Sequence, residues 1–102
     1  MTLGPTIRSL RDEAGLSQAV LAKRADISAP FLSQIEAGAR EPSLATVRAL
    51  GDALGVPAPF LILFSVDLSD VPESKRDAFE VVFPALRTFA RSVLDEARAT
   101  PA

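Results

Sequence analysis

Between Gly15 and Val56 the sequence GLSQAVLAKRADISAPFLSQIEAGAREPSLATVRALGDALGV carries three helix-length apolar patterns, and the turns between them are only a few residues long. Connections that short leave little freedom in how the helices are arranged. Ser17, Ser28 and Ser43 each precede one pattern, where a hydroxyl can accept from the free backbone N–H groups of a helix start. Gly38 and Gly55 follow the later two patterns, where a positive φ costs glycine least.

The same periodicity extends in both directions. Ile7, Leu10 and Ala14 recur at three- and four-residue intervals after Gly4 and Pro5, predicting a first helix over 6–14 that Gly15 stops. A second helix is expected over 18–25, with Val20, Leu21 and Ala25 on or near one face. The third runs over 29–37, with Pro30 in its first turn, where a missing N–H does no harm. Phe31, Leu32 and Ile35 point inward there, leaving Ala29, Pro30, Ser33, Gln34 and Ala37 for the outer surface. Between the second and third helices, Asp26 is the residue best suited to left-handed backbone. Leu44, Val47, Leu50 and Leu54 mark a fourth helix over 44–54, and Pro57 opens a short fifth through Leu63.

A chain of 102 residues has room for one small domain, or one domain plus an oligomerisation arm, and its six Phe with no Trp or Tyr favour an all-α core over an aromatic-rich sheet. There is no Cys and no His, which removes disulfides, thiolate sites, and the commonest general base and metal ligand. Asp and Glu form no cluster with catalytic or metal-binding geometry, so neither an enzyme, a cofactor nor a metal site is expected. Arg8, Arg11, Asp12 and Glu13 interrupt the first sixteen residues, unlike a secretory signal. The longest apolar run, over 57–64, is far short of the ~20 residues that span a bilayer, so the expectation is a cytoplasmic protein without a membrane. Residues 1–60 carry six basic and six acidic groups, and residues 61–102 carry five basic and seven acidic ones. The net charge of −2 therefore belongs to the tail, and the neutral head predicts modest sequence-independent affinity for a polyanion.

Asp67 to Glu73 turns polar around Ser69, Asp70 and Pro72, placing a hinge that divides the chain into 1–66 and 67–102. Beyond it, Phe79, Val82, Phe83, Leu86, Phe89, Ala90, Val93, Leu94 and Ala97 form an apolar stripe of helical period. Pro84 lies inside the stripe, so either one helix kinks there or two helices meet. Burying each large apolar group is worth about 1.5 to 3 kcal/mol, so the stripe is expected to be covered. It either dimerises, with Phe79, Phe83, Leu86, Phe89, Val93 and Leu94 at the interface, or folds back over Phe60 to Phe64. Residues 100–102 read as a frayed end.

Leu16-Ser17-Gln18, Leu21-Ala22, Ile27-Ser28, Leu32-Ser33, Ile35-Glu36, Gly38, Pro42-Ser43-Leu44 and Ala53-Leu54-Gly55-Val56 follow one another in an order that resembles the phage-repressor-like helix-turn-helix family, often called XRE or Cro. The likeness covers roughly residues 6–63. It implies an all-α fold: a five-helix lambda-repressor-like domain followed by a C-terminal helical oligomerisation extension. It also implies that the third helix enters the major groove of double-stranded DNA while the second crosses the backbone. By position, Ala29, Pro30, Ser33 and Gln34 become base readers. Gln34 is suited to adenine, and Ala29 and Pro30 offer only apolar contact to a thymine methyl. Asp26 stands where the family commonly has a turn glycine, and Ala29 and Pro30 stand where polar readers often occur.

Gln18 is expected at a phosphate, against the plainer reading of a solvated first-turn residue. Ser28 and Ser43 read as caps, phosphate donors or both, and Arg40, Lys23 and Arg24 as phosphate contacts or surface charges. The resemblance further implies that Arg11 and Glu36 meet as a partly buried ion pair between the first and third helices. The function implied is a homodimeric transcriptional repressor on a palindromic operator. The alternative is a protein-interaction module, such as an antitoxin-like partner, whose apolar tail binds another protein.

Overall fold

A computed structural model describes residues 1–99, so the frayed end expected at 100–102 lies outside the described residues. Among the described residues there are six α-helices and no strand. The chain divides into two compact units, Thr2–Ser65 in one and Met1 with the segment from Val66 onward in the other.

The first unit holds α1 (Leu3–Glu13), α2 (Gln18–Arg24), α3 (Ala29–Glu36), α4 (Leu44–Leu54) and α5 (Ala58–Ser65). Ser17, Ser28 and Ser43 each accept the backbone N–H three residues on, at 3.1, 3.1 and 3.2 Å, which fixes the starts of α2, α3 and α4. Asp26 takes the left-handed conformation, with φ of 57°, and lets α2 turn into α3 within four residues. Gly55 ends α4 in the same region at 70°. Ile7, Leu10, Leu21, Leu32, Ile35, Leu50, Leu54 and Leu61 pack into one core, which α1 closes by lying against α3, α4 and α5.

The structure corrects several sequence expectations. α1 begins at Leu3 and takes Gly4 and Pro5 into its first turn, where proline's missing N–H has no intrahelical acceptor to lose. The N–H and hydroxyl of Thr2 instead donate to the Ser65 carbonyl at 2.7 and 3.2 Å, tying the start of α1 to the end of α5. Val20 and Leu44, which belong to the apolar patterns of α2 and α4, are exposed, each in the first turn of its helix. Phe31 is half-buried rather than part of the core. α5 runs to Ser65, whose buried hydroxyl donates to the Leu61 carbonyl at 2.7 Å.

In the second unit the expected hinge is a pair of 3-10 turns, Leu68–Asp70 and Glu73–Lys75. Asp67 accepts the Ser69 N–H and Asp70 accepts the Asp67 N–H, both at 2.9 Å, a reciprocal cap that orders a polar segment with no buried side chain. One helix, α6 (Arg76–Ala99), continues through Pro84, which resolves the choice between one helix and two. Its apolar stripe divides. Ala90 and Leu94 are buried, while Val81, Val82, Leu86, Phe89 and Val93 are exposed, so Leu94 leaves the set expected on an open interface.

No single described helix is long and apolar enough to cross a membrane. α4 and α5 reach that length only as a pair bent by 103°, and their Leu50, Leu54 and Leu61 belong to the core.

What holds α1 to α3 is a polar cluster under the core. Arg11 donates from Nε to Glu36 Oε2 at 2.8 Å and from Nη2 to Oε1 at 2.9 Å, and its Nη1 donates to the Leu16 carbonyl at 2.8 Å. Gln18 Nε2 donates to Glu36 Oε1 at 3.1 Å, so one carboxylate joins α1, α2 and α3. Only 7% of Glu36 is exposed, which makes this a desolvated pair. Burial pushes the Glu36 carboxyl up, but hydrogen bonds from Arg11 and Gln18, with the charges of Arg11 and Arg8, outweigh it and hold the group below the ordinary glutamate range. Close by, Gly4 leaves no room for a Cβ, which would overlap the Ile35 carbonyl oxygen and lie 2.8 Å from that of Glu36.

Gly4→Ala is therefore expected to destabilise the fold by about 1 to 3 kcal/mol, lowering the melting temperature by several degrees in a thermal scan. Glu36→Gln leaves the buried Arg11 with only the exposed Asp12 carboxylate, 3.4 Å from Nη1, as counter-ion and is expected to cost about 3 kcal/mol at pH 7 in urea unfolding. The stabilisation from ionised Glu36 is complete above the unfolded glutamate value of about 4.3 and is lost as pH falls through the lower folded value. The gap between wild type and Glu36→Gln should therefore narrow as pH falls below the unfolded value and close only once the lowered folded value is passed, where the wild-type side chain becomes neutral as well.

Candidate nucleic-acid interface

The face of α3 opposite Leu32 and Ile35 carries Pro30, Ser33, Gln34 and Ala37 at one helical stripe, all exposed, with Ala29 half-buried at its edge. None of these residues is charged. Ser33 offers a hydroxyl and Gln34 a paired amide donor and acceptor, while Pro30 and Ala37 are apolar. Such a surface suits hydrogen-bonded and methyl-lined edges better than a bare phosphate.

The sequence lines that stripe with a second feature. After α3 the chain curls back so that the N–H groups of Ala39 and Arg40 both donate to the Gln34 carbonyl, at 2.9 and 3.3 Å. Gly38 allows the reversal with φ of 78°. The Arg40 guanidinium lies 5.3 Å from the centre of the Phe31 ring. That distance is within cation–π range. Phe31 and Arg40 thus form a rail beside Gln34, with a fixed cation at its end. Sequence reasoning placed Phe31 inside because its helical phase matches Leu32 and Ile35, and the pairing with a cation beyond the helix end has no periodic signature.

The other expected residues fall into distinct groups. Lys23 and Arg24 are exposed in the last turn of α2, where their charges also complement the helix dipole. Ser28 and Ser43 act as caps, and Ser43 shares a further hydrogen bond with the Thr46 hydroxyl at 3.1 Å. Ser28 keeps its hydroxyl hydrogen for donation. Gln18 is partly turned inward by its bond to Glu36, a link between residues 18 apart in sequence that no local spacing reveals. Its second amide hydrogen remains. Arg11 and Glu36 lie beneath the stripe and shape it without being part of it.

A family model described as a helix-turn-helix domain matches residues 2–59. The immunity repressor protein of Bacillus phage phi105 is 37% identical over 62 residues, covering 61% of this chain and 43% of that protein. An uncharacterised HTH-type transcriptional regulator of Mycobacterium tuberculosis, Rv0474, is 43% identical over 58 residues, covering 57% of this chain and 41% of that one. The match therefore spans less than half the length of these curated relatives. Among solved structures, the restriction-modification controller protein C.AhdI from Aeromonas hydrophila superposes with a TM-score of 0.58 at 32% identity, over 59% of this chain and 91% of that one. The clp gene regulator ClgR from Corynebacterium glutamicum shares the fold over 97% of this chain and 93% of its own, with a TM-score of 0.59 at 22% identity. With α2 and α3 joined by a tight turn and the outward face of α3 uncovered, the chain belongs to the helix-turn-helix domain family.

Proposed function

We propose that this protein is a sequence-specific transcriptional regulator, a homodimeric repressor that reads a palindromic operator in double-stranded DNA. The observation that carries the reading is the uncovered stripe of Pro30, Ser33 and Gln34 on a helix whose opposite side is fully buried. The relatives, an immunity repressor and a transcriptional regulator, support the same role.

α3 enters the major groove, with Gln34 as principal reader and Ser33 beside it. Ala29 and Pro30 contribute apolar contact to a thymine methyl. Arg40, backed by the Phe31 ring, meets a phosphate next to the base pair that Gln34 reads. Gln18, Ser28 and Ser43 donate to phosphates from helix starts, and Lys23 and Arg24 add charge along the backbone. Two copies are required because one such domain reads only a short half-site, and a dimer sets two half-sites about one helical turn apart. α6 supplies the pairing through Phe79, Phe83, Leu86, Phe89 and Val93.

Selection of bound fragments from a random duplex pool should yield a palindrome with a specific base preference opposite Gln34. Gln34→Ala is expected to lose about 1 to 3 kcal/mol of discrimination at that position alone. Identical binding by wild type and Gln34→Ala across the pool would remove Gln34 as the reader. Arg40→Ala should weaken binding to all sequences and reduce the salt slope of log K by about 1. Phe31→Leu keeps the charge but loses its support, so binding is expected to fall about threefold with the slope unchanged.

A further inference from the structure

The homodimer proposed above leaves open how two α6 helices meet, and α6 itself carries that information. Val82, Leu86, Phe89 and Val93 are exposed along one stripe, with Phe79 half-buried at its N-terminal end, and Val81, 78% exposed, lies off it. Phe79, Val82, Leu86, Phe89 and Val93 follow alternating intervals of three and four, the seam of a heptad repeat. Val82 and Phe89 are 60% and 66% exposed, a large apolar area to leave in water. Ala78, Ala85 and Ser92 recur every seventh residue along one flank. They are small enough for a second helix to approach closely.

The seam is not uniform along its length. Its N-terminal half holds an open, mostly apolar groove of about 330 Å³, lined by Val71, Lys75, Ala78, Phe79, Val82, Phe83 and Leu86, with the Phe79 and Phe83 rings stacked at 4.4 Å. Its C-terminal half presents a protruding ring, Phe89. One helix therefore carries both a hole and a knob.

We infer that α6 pairs with α6 of a second copy in antiparallel orientation, crossing at the level of residue 84, so that Phe89 of each copy fills the groove around Phe79 of the other. In that register Phe79 faces Phe89, and Val82 faces Leu86, twice each by the two-fold axis. Every layer joins one a position to one d position, as antiparallel knobs-into-holes packing requires. Pro84 falls at the position farthest from the seam, so the backbone N–H it lacks is not missed at the contact.

The absence of cysteine from the sequence gives a background-free test. The full chain is made as Val82→Cys and as Leu86→Cys, and each variant is oxidised alone and after mixing, with sedimentation of the wild type at micromolar concentration alongside. The antiparallel seam predicts a disulfide-linked dimer from the mixture and little from either variant alone, since only unlike positions come within the ~4.4 to 6.8 Å that a disulfide spans. Efficient cross-linking of either variant alone, or a wild-type dimer whose mixed variants give no cross-link, overturns this pairing while leaving the dimer standing. A wild type that sediments as a monomer overturns both.

Discussion

Arg11 reaches from α1 to Glu36 at the end of α3, and the rest of the first unit is arranged around that contact. A buried carboxylate is costly unless its oxygens are fully engaged, and here three donors from two side chains engage them. The arrangement fixes more than one distance. Arg11 also holds the Leu16 carbonyl just before α2, and Gln18 at the start of α2 shares the same carboxylate, so the relative placement of α1, α2 and α3 is specified by a single charged group. Gly4 adds a second constraint at the same end of α3, because α1 approaches the last carbonyls of α3 too closely for any side chain. Apolar packing supplies most of the driving force, but it is non-directional. The ion pair sets which way the outward face of α3 points.

That division of labour explains what was legible in the sequence. The starts of α2, α3 and α4 were readable because a serine hydroxyl three residues from an amide is a local arrangement, and Asp26 because its turn leaves few other residues able to adopt positive φ. Periodicity also identified the faces of most helices. It failed at Val20 and Leu44, because a helical phase says which side a residue faces but not whether anything lies beyond the first turn to cover it. Phe31 failed for a related reason: its phase is inward, yet its ring is partly covered by a guanidinium rather than by the core. Arg11 and Glu36 came from resemblance alone, since nothing in their spacing marks them as partners.

The α6 stripe shows the same limit from another side. Nine apolar positions in the tail fit one helical arc, which left dimerisation and folding back as open alternatives. In the structure Ala90 and Leu94 are buried, Phe79 and Phe83 are half-buried, and Val82, Leu86, Phe89, Val93 and Ala97 are exposed. Pro84 looked like a boundary because proline removes a helix hydrogen bond, yet a long helix with many other bonds tolerates one such loss on an outer face. Similarly, the polar stretch taken as a hinge is held by reciprocal aspartate caps, which need no apolar content to impose order.

Charge links the two units in the proposed function. The head carries equal numbers of basic and acidic groups, and the Arg11–Glu36 pair removes one of each from the surface, so little long-range attraction remains to hold a single copy on DNA. Its base-reading stripe is also thin, with one amide and one hydroxyl among apolar neighbours. Both features place the burden on joining two heads. Once α6 pairs, the second head binds at an effective concentration set by the tether rather than by the bulk, and two weak half-site contacts combine into one strong one. A strongly basic head would bind any duplex without waiting for its partner and would lose that discrimination. In the proposed dimer, a neutral head on a pairing helix responds only where two correct half-sites stand at the right spacing.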